Sequence, residues 1–287
     1  MYWYVLAIIS AFFEALYYTL IKKLVRKEDI RVIASGVFLT GAVILFSASL
    51  VRGIPEIGTQ FYSSVFVTGI LNVFAVVLYF RALKKTDISL SLPMLSFTPL
   101  FLIVTSFLIL GELPSYVGGM GILLIVSGSY VINMSTDHKE LFYPIQQILR
   151  NKGVLDMLGV AFIFSISANY NKIAVLNSDP ILSSAGIFLV TAVPFLVYAK
   201  TTGENIIRSH KKVWGWVLAT GLVISLTAVL INIALTMQIV PYVISLKRLA
   251  VLFAVIFGGV IFHEKHIARR LIGTLIMLAG AIIIVLY

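Results

Sequence analysis

Residues 2–21 read YWYVLAIISAFFEALYYTLI, and a basic cluster, KKLVRK, occupies residues 22–27. Twenty residues that contain one charge, Glu14, are long enough to cross a bilayer as an α-helix. The stretch differs from a cleaved signal peptide because nothing basic precedes it and the basic cluster follows it. It predicts a membrane-spanning helix that ends on a positively charged side.

The rest of the 287-residue chain has the same character, with 60% hydrophobic and 12% charged residues. Soluble domains carry about 25% charged residues, so too little polar surface remains here for a water-soluble fold, and disorder is ruled out. The absence of cysteine excludes disulfides, thiol catalysis and thiolate metal sites. Apolar runs of spanning length predict an all-α membrane protein with ten transmembrane helices, at about 2–21, 32–51, 63–83, 88–110, 114–133, 154–175, 181–199, 213–237, 240–262 and 266–287.

The formal charge of +10 is distributed by position along these spans. Eighteen of the 22 basic residues lie in the links after the first, third, fifth, seventh and ninth spans, two lie on the opposite side, and two lie inside the ninth span. Basic residues in short links stay cytoplasmic, so this distribution predicts both termini outside. It also explains the positive charge as an orientation signal, and no nucleic-acid partner is expected.

The two halves of the chain repeat each other at offsets of 152 and 150 residues. Because each half has five spans, an odd number, the second half is expected to be inverted relative to the first. We predict a first five-helix repeat over 1–133, a cytoplasmic connecting loop over 134–152 with a short surface helix, and a second repeat over 153–287. Such inverted repeats are a transporter architecture. The pairs that chance explains least are Glu112 with Glu264, Lys22 with Lys172, Gly121 with Gly273, and Gly128 with Gly280.

Gly121 and Gly128 are seven residues apart and share one helix face, as do Gly273 and Gly280. Small residues let helix backbones approach closely in lipid. These four glycines therefore predict that the fifth and tenth spans pack together.

The order and spacing of short motifs resemble the EamA-type transporters of the drug/metabolite transporter superfamily. The resemblance covers essentially the whole chain and implies a secondary transporter rather than an enzyme. It also favours termini inside, against the charge count. Its motifs are Arg81-Ala82-Leu83, Pro99, the Gly111-Glu112 turn and Gly121/Gly128, with Ala234-Leu235, Glu264, Gly273 and Gly280 in the second half, where Val251 replaces the proline and His263 replaces Gly111.

The first span also resembles the small multidrug resistance proteins of the same superfamily. In those proteins a membrane glutamate precedes a Thr-Leu-x-Lys end, which corresponds here to Glu14 followed by Thr19, Leu20 and Lys22. The resemblance implies a carboxylate that exchanges protons for substrate. It covers one helix only, since the second half has Phe164 at the matching position.

Glu14 is the one acid of twelve that lies in the middle of a span. A central charge costs at least roughly 2.5–3.5 kcal/mol, so it needs a partner, water or a proton. Tyr17 and Tyr18 lie one turn further along the same face, which suits the lining of a cavity. A structural glutamate paired with a basic residue is the alternative.

Lys247 and Arg248 lie roughly 10 Å into the ninth span. Arg248 could clamp a carboxylate with two hydrogen bonds, or either residue could neutralise Glu14 or extend outward. Polar stripes on the third, sixth and eighth spans predict a shared wet cavity, although hydrogen bonds between helices explain any one of them equally well. The candidate residues for substrate or proton binding are Glu14, Tyr17, Tyr18, Asn72, Tyr79, Asn169, Asn232, Lys247 and Arg248.

The sequence thus predicts a secondary transporter of the cell membrane that exports small polar metabolites such as amino acids, with protons as a candidate coupling ion. Proton-coupled efflux of lipophilic cations is one alternative, supported by the tyrosines and opposed by Lys247 and Arg248. A non-transporting membrane scaffold or enzyme is another. The expected partners are a small-molecule substrate and the bilayer, with a monomer or weak homodimer as the assembly. No cofactor or metal is expected, because the four histidines lack zinc-site spacing.

Overall fold

A computed structural model describes residues 2–25, 30–85, 92–133, 150–201, 206–254, 257 and 267–286. Over these ranges the chain is helical and contains no strand. The predicted surface helix within 134–149, and the repeat partners His263 and Glu264, lie outside them. The first repeat holds α1 (Trp3–Val25), α2 (Ile30–Arg52), α3 (Phe61–Lys85), a 3-10 helix (Leu92–Phe97), α4 (Thr98–Leu110) and α5 (Tyr116–Asn133). The second holds α6 (Lys152–Leu176), α7 (Pro180–Thr201), α8 (Ile206–Met237), α9 (Val240–Lys247) and α10 (Ile267–Leu286).

Long apolar helices dominate the described part of the chain. Six of them are long and apolar enough to cross a membrane, namely α1, α2, α3, α6, α7 and α8. Three shorter apolar stretches cover Met94–Leu110, Tyr116–Ile132 and Ile272–Leu286. The all-helical membrane fold is therefore confirmed, while the number of ten spans stays a prediction.

Within the described residues, eight helices form a closed ring. Its order is α1, α8, α2, α7, α3, α6, α4, α9 and back to α1. The remaining helices, α5 and α10, pack mainly on each other and join the ring at the 3-10 helix and α9. Each helix of the ring has both of its ring neighbours in the opposite repeat, so the two halves interlock. The pair α1–α8 corresponds to α6–α3, as expected for repeats related by a twofold axis.

The fourth and ninth spans are both interrupted, whereas the sequence predicts continuous helices. In the fourth, the 3-10 helix changes to α4 at Thr98, and Pro99 occupies the first turn of α4, where its missing N–H is not needed. In the ninth, α9 ends at Lys247, and a turn at Arg248 and Leu249 precedes further helix. There the N–H of Leu249 donates to the carbonyl of Leu246, three residues back, which tightens the turn.

The four glycines lie in the contact between α5 and α10. A Cβ added to Gly128 would be 2.8 Å from the backbone nitrogen of Met277. A Cβ added to Gly121 would be 2.9 Å from the carbonyl oxygen of Gly280. These distances are too short for any side chain, so glycine is what lets the two backbones approach this closely.

Candidate functional site

Glu14 lies in the middle of α1 and forms an ion pair with Lys247, the last residue of α9. The Glu14 Oε1 to Lys247 Nζ distance is 3.0 Å, and the two side chains are 14% and 26% exposed. The hydroxyl of Tyr18 donates to the same Oε1 at 3.1 Å. Glu14 therefore has the opposite charge and the polar partner that a carboxylate inside a membrane requires.

Three more of the predicted residues surround this pair. The Tyr17 ring lies against that of Tyr18, with centroids 5.7 Å apart. Tyr79 of α3 is close enough to both tyrosines to interact electrostatically, and Arg248 is close enough to Tyr18. The Nε atom of Arg248 is buried and has no hydrogen-bond partner in the described part of the chain.

Six of the nine predicted residues thus meet, and they come from α1, α3 and the end of α9. In a continuous helix, adjacent residues point about 100° apart, so only one of Lys247 and Arg248 could face Glu14 directly. Lys247 is the one that does so. We call this group the charge cluster, which consists of Glu14, Tyr17, Tyr18, Tyr79, Lys247 and Arg248.

Asn72 and Asn169 take part in hydrogen bonds between helices. The side-chain oxygen of Asn72 accepts from Ser167 at 2.9 Å and joins α3 to α6. Asn169, which is fully buried, donates to Thr105 at 3.1 Å and accepts from Ser106 at 2.7 Å, joining α6 to α4. These contacts match the alternative that the sequence left open, namely that the polar stripes form hydrogen bonds between helices. A role of these two residues in lining a wet cavity stays a prediction.

Asn232 joins three helices of the second repeat. Its side-chain oxygen accepts from Asn171 of α6, and its amide donates to Ser184 of α7, both at 2.7 Å. All three residues lie near the ends of their helices that lead into the links 177–179 and 238–239. The second-repeat helices α6, α7 and α8 therefore converge at this level.

Glu112, which the sequence placed in a link, forms a second ion pair. Its partner is Lys172 of α6, and the two side chains are 15% and 10% exposed. The other carboxylate oxygen of Glu112 accepts from the N–H of Val240, the first residue of α9, at 2.8 Å. Lys172 also donates to the carbonyl of Gln238 at 2.7 Å. We call these four residues the Glu112 network.

Sequence reasoning found each member of this second ion pair as a repeat match, but it did not pair them with each other. The signal was present, because Glu112 and Lys172 are charged residues at the ends of apolar spans. Each also has a charged counterpart in the other half of the chain, Glu264 and Lys22 respectively.

Further contacts between the repeats surround the Glu112 network. The N–H of Ser115 donates to the hydroxyl of Tyr242 at 2.8 Å, and the N–H of Gly58 donates to the carbonyl of Asn177 at 2.7 Å. The links 53–60, 111–115, 177–179 and 238–239 thus lie on one side, which we call the Glu112 side. The structure is closed there by contacts between the two repeats.

The opposite side, on which α1, α3, α5 and α7 end, is the basic side. There the buried carboxylate of Asp156 accepts two hydrogen bonds from Arg81 and lies 3.2 Å from Lys85. This ion pair joins α6 to α3 and does not involve the charge cluster. Among the described residues, no group of three or more His, Asp or Glu could hold a metal ion.

Known proteins resemble this chain in fold and in a family pattern that matches it twice. No curated protein matches this sequence. A solved crystal structure of a protein is similar over 99% of this chain and 95% of its own, with a TM-score of 0.75 and 18% sequence identity, which shows a shared fold. The model of the EamA-like transporter family matches the chain twice, over residues 1–134 and 151–286. The chain therefore belongs to the EamA-like transporter family, and it is a multi-pass integral membrane protein of a transporter family rather than an enzyme family.

Proposed function

We propose that this protein is a secondary transporter of the cell membrane that exports small zwitterionic metabolites, such as amino acids, in exchange for protons. The observation that supports this proposal best is the charge cluster. It combines a carboxylate and two cationic side chains inside the membrane, and Nε of Arg248 has no hydrogen-bond partner among the described residues. The alternative, a structural glutamate paired with a basic residue, accounts for Glu14 and Lys247 but not for the placement of Arg248 beside them.

An amino acid carries one carboxylate and one ammonium group, and the charge cluster offers a partner for each. The guanidinium of Arg248 can bind a carboxylate through two parallel hydrogen bonds, with Lys247 nearby. If the substrate carboxylate draws Lys247 away, Glu14 loses its cation. It then needs the substrate ammonium or a proton to remain inside the membrane.

Glu14 is the group that we expect to carry the proton. The ionisable groups that face it are Lys247 from the end of α9 and Tyr17 and Tyr18 from its own helix. Tyr79 from α3 lies near both tyrosines, and Arg248 lies near Tyr18. The helix α8 packs along α1, and its described side chains, residues 213–237, include no ionisable group. Glu14 is thus the one carboxylate in this set.

For the proposed export, the distribution of basic residues sets the orientation of the protein in the membrane. With the basic side in the cytoplasm, the Glu112 side faces outward and the inverted repeats alternate in opening the charge cluster to either side. Export then means that substrate enters from the basic side.

Efflux of lipophilic cations is the second candidate, and the three tyrosines of the charge cluster favour it. Aromatic faces attract cations, and Glu14 would supply the counter-charge. The pairing of Glu14 with Lys247 opposes this candidate, because an incoming cation would have to displace a lysine.

Transport by purified protein in liposomes, with an imposed pH gradient, tests both candidates. We expect amino acids to move in the direction opposite to the flow of protons, and we expect no movement of cationic dyes. Glu14→Gln should abolish the dependence on the pH gradient, whereas Glu56→Gln, which changes an exposed link residue, should not. Full pH-dependent transport by Glu14→Gln would contradict proton coupling through this residue, and the absence of any counterflow would favour a scaffold.

A further inference from the structure

We propose that α9 couples the charge cluster to the closure of the Glu112 side, with Glu112 and Lys172 as the residues that position it. The inference rests on the proposed function, because coupling requires a site that binds and a side that opens. It concerns residues of the Glu112 network that do not touch the charge cluster.

The helix α9 is short and makes a contact with a carboxylate at each end. It has eight residues, Val240–Lys247. The N–H of Val240 donates to Glu112 at 2.8 Å, and Lys247 at the other end pairs with Glu14 at 3.0 Å. A helix of this length spans roughly 12 Å and is rigid, so a displacement at one end moves the other.

Both ends of α9 can act as hinges. Gln238 and Ile239 precede the helix without belonging to it, and a turn at Arg248 and Leu249 follows it. Hinge motions in proteins use a few residues at the ends of elements. Residues 240–246 are buried, so α9 cannot move at one end without rearranging its neighbours.

Among the described helices, one contact near the Glu112 side has no counterpart in the first repeat. Near the Glu112 side, α6 packs against α8, and Asn171 bonds to Asn232. The counterparts of α6 and α8 in the first repeat are α1 and α3, and they have no comparable contact within the described residues. Lys172, which is next to Asn171, connects this helix contact to α9. It forms an ion pair with Glu112 and donates to the carbonyl of Gln238, just before α9 begins.

Coupling between two sites is reciprocal, so a change at the charge cluster must alter the closure and a change in the Glu112 network must alter the cluster. A purely structural Glu112 network would fail this test. It would stabilise the fold without responding to the state of Glu14 and Lys247.

The absence of cysteine from the chain allows the closure to be measured directly. A Cβ at Gly58 would lie 3.2 Å from the Cβ of Asn177, and disulfides need about 3.5–4.5 Å. The double variant Gly58→Cys/Asn177→Cys should therefore cross-link between the repeats after a small shift. Its oxidation should stop transport, and reduction should restore it, while neither single variant should respond to oxidant.

The yield of this disulfide in liposomes without substrate is the readout of coupling. We expect Glu112→Gln, Lys172→Met and Lys247→Met each to lower the yield about fivefold or more, which is the lower end of typical couplings. Lys172→Arg, which keeps the charge, should restore much of it. Asp156→Asn is the matched control, because it breaks an ion pair on the basic side and leaves α9 untouched.

An unchanged disulfide yield in Lys247→Met would overturn the proposed coupling. If Asp156→Asn lowers the disulfide yield as much as Lys247→Met does, the effect is a general loosening of the fold and the coupling is also overturned. The cross-link needs no substrate, so failure of the proposed amino-acid transport would be seen separately. As a second measurement, Glu112→Gln should lower the maximal transport rate and leave the apparent KM within about twofold, since the residue binds no substrate. A rise in KM with an unchanged maximal rate would count against a positioning role.

Discussion

Arg248 differs from the other members of the charge cluster because its Nε atom is buried without a hydrogen-bond partner in the described residues. Leaving a charged donor unsatisfied costs about 1–3 kcal/mol or more. A substrate carboxylate would satisfy it, so binding of a carboxylate would remove this cost. This makes Arg248 the residue that should distinguish anionic substrates from cationic ones.

Arg248→Lys keeps the positive charge and removes the planar fork that binds a carboxylate through two hydrogen bonds. We expect the apparent KM for carboxylate substrates to rise about tenfold, which corresponds to about 1.4 kcal/mol. Competition uptake in liposomes measures this change, with the exposed Lys200→Arg as the control. An unchanged KM for all substrates would remove Arg248 from the binding site.

Local spacing in the sequence was enough to find Glu14, Tyr17 and Tyr18, because they share one face of one helix. It left the partner of Glu14 open, since Lys247 is 233 residues away and helical periodicity says nothing about which spans meet. The pairing of Glu112 with Lys172 was missed for the same reason. Asn169 and Asn232 were found by the sequence, but their surroundings were not. The sequence pattern of a polar stripe is the same whether the stripe faces water or another helix.

At the scale of elements, the contact between α5 and α10 depends on glycine. Alanine normally favours a helix over glycine by about 1 kcal/mol. At Gly128 the added methyl group would meet the backbone of α10, and overpacking of this kind costs about 1–3 kcal/mol.

Gly128→Ala should therefore lower the midpoint of thermal unfolding by several degrees. Gly119→Ala is the matched control on the same helix, because an added Cβ there would meet nothing within 4 Å. We expect it to leave the midpoint unchanged or to raise it slightly. Equal effects of the two substitutions would show that the α5–α10 contact can relax without loss.

The helix limits followed the sequence closely wherever an apolar run set them, as in α2 and α7. The interruptions at Phe97 and Arg248 were not predicted. Pro99 is compatible with a continuous membrane helix, and the second repeat has Val251 in its place. Both interruptions occur at the same position of the repeat, which indicates that packing in the ring sets them rather than a single helix-breaking residue.

At the scale of the whole molecule, interlocking of the repeats fixes which links share a side, while the basic residues predict which side is cytoplasmic. In intact cells, a membrane-impermeant thiol reagent should label Glu56→Cys on the Glu112 side and not Lys152→Cys on the basic side. Both positions are exposed, and no native cysteine interferes. Labelling of Lys152→Cys alone would place the termini inside.

The hydrogen bonds among Asn171, Asn232 and Ser184 have no polar equivalent in the first repeat, where the corresponding residues are Ile21, Phe80 and Ala34. Closing the Glu112 side thus forms hydrogen bonds at these three positions, whereas the same approach of helices on the basic side would bury apolar side chains at their equivalents. Apolar burial carries a large negative heat-capacity change and weakens on cooling. Temperature should therefore bias the transport cycle, with cold holding the Glu112 side shut and warmth favouring the state that opens it.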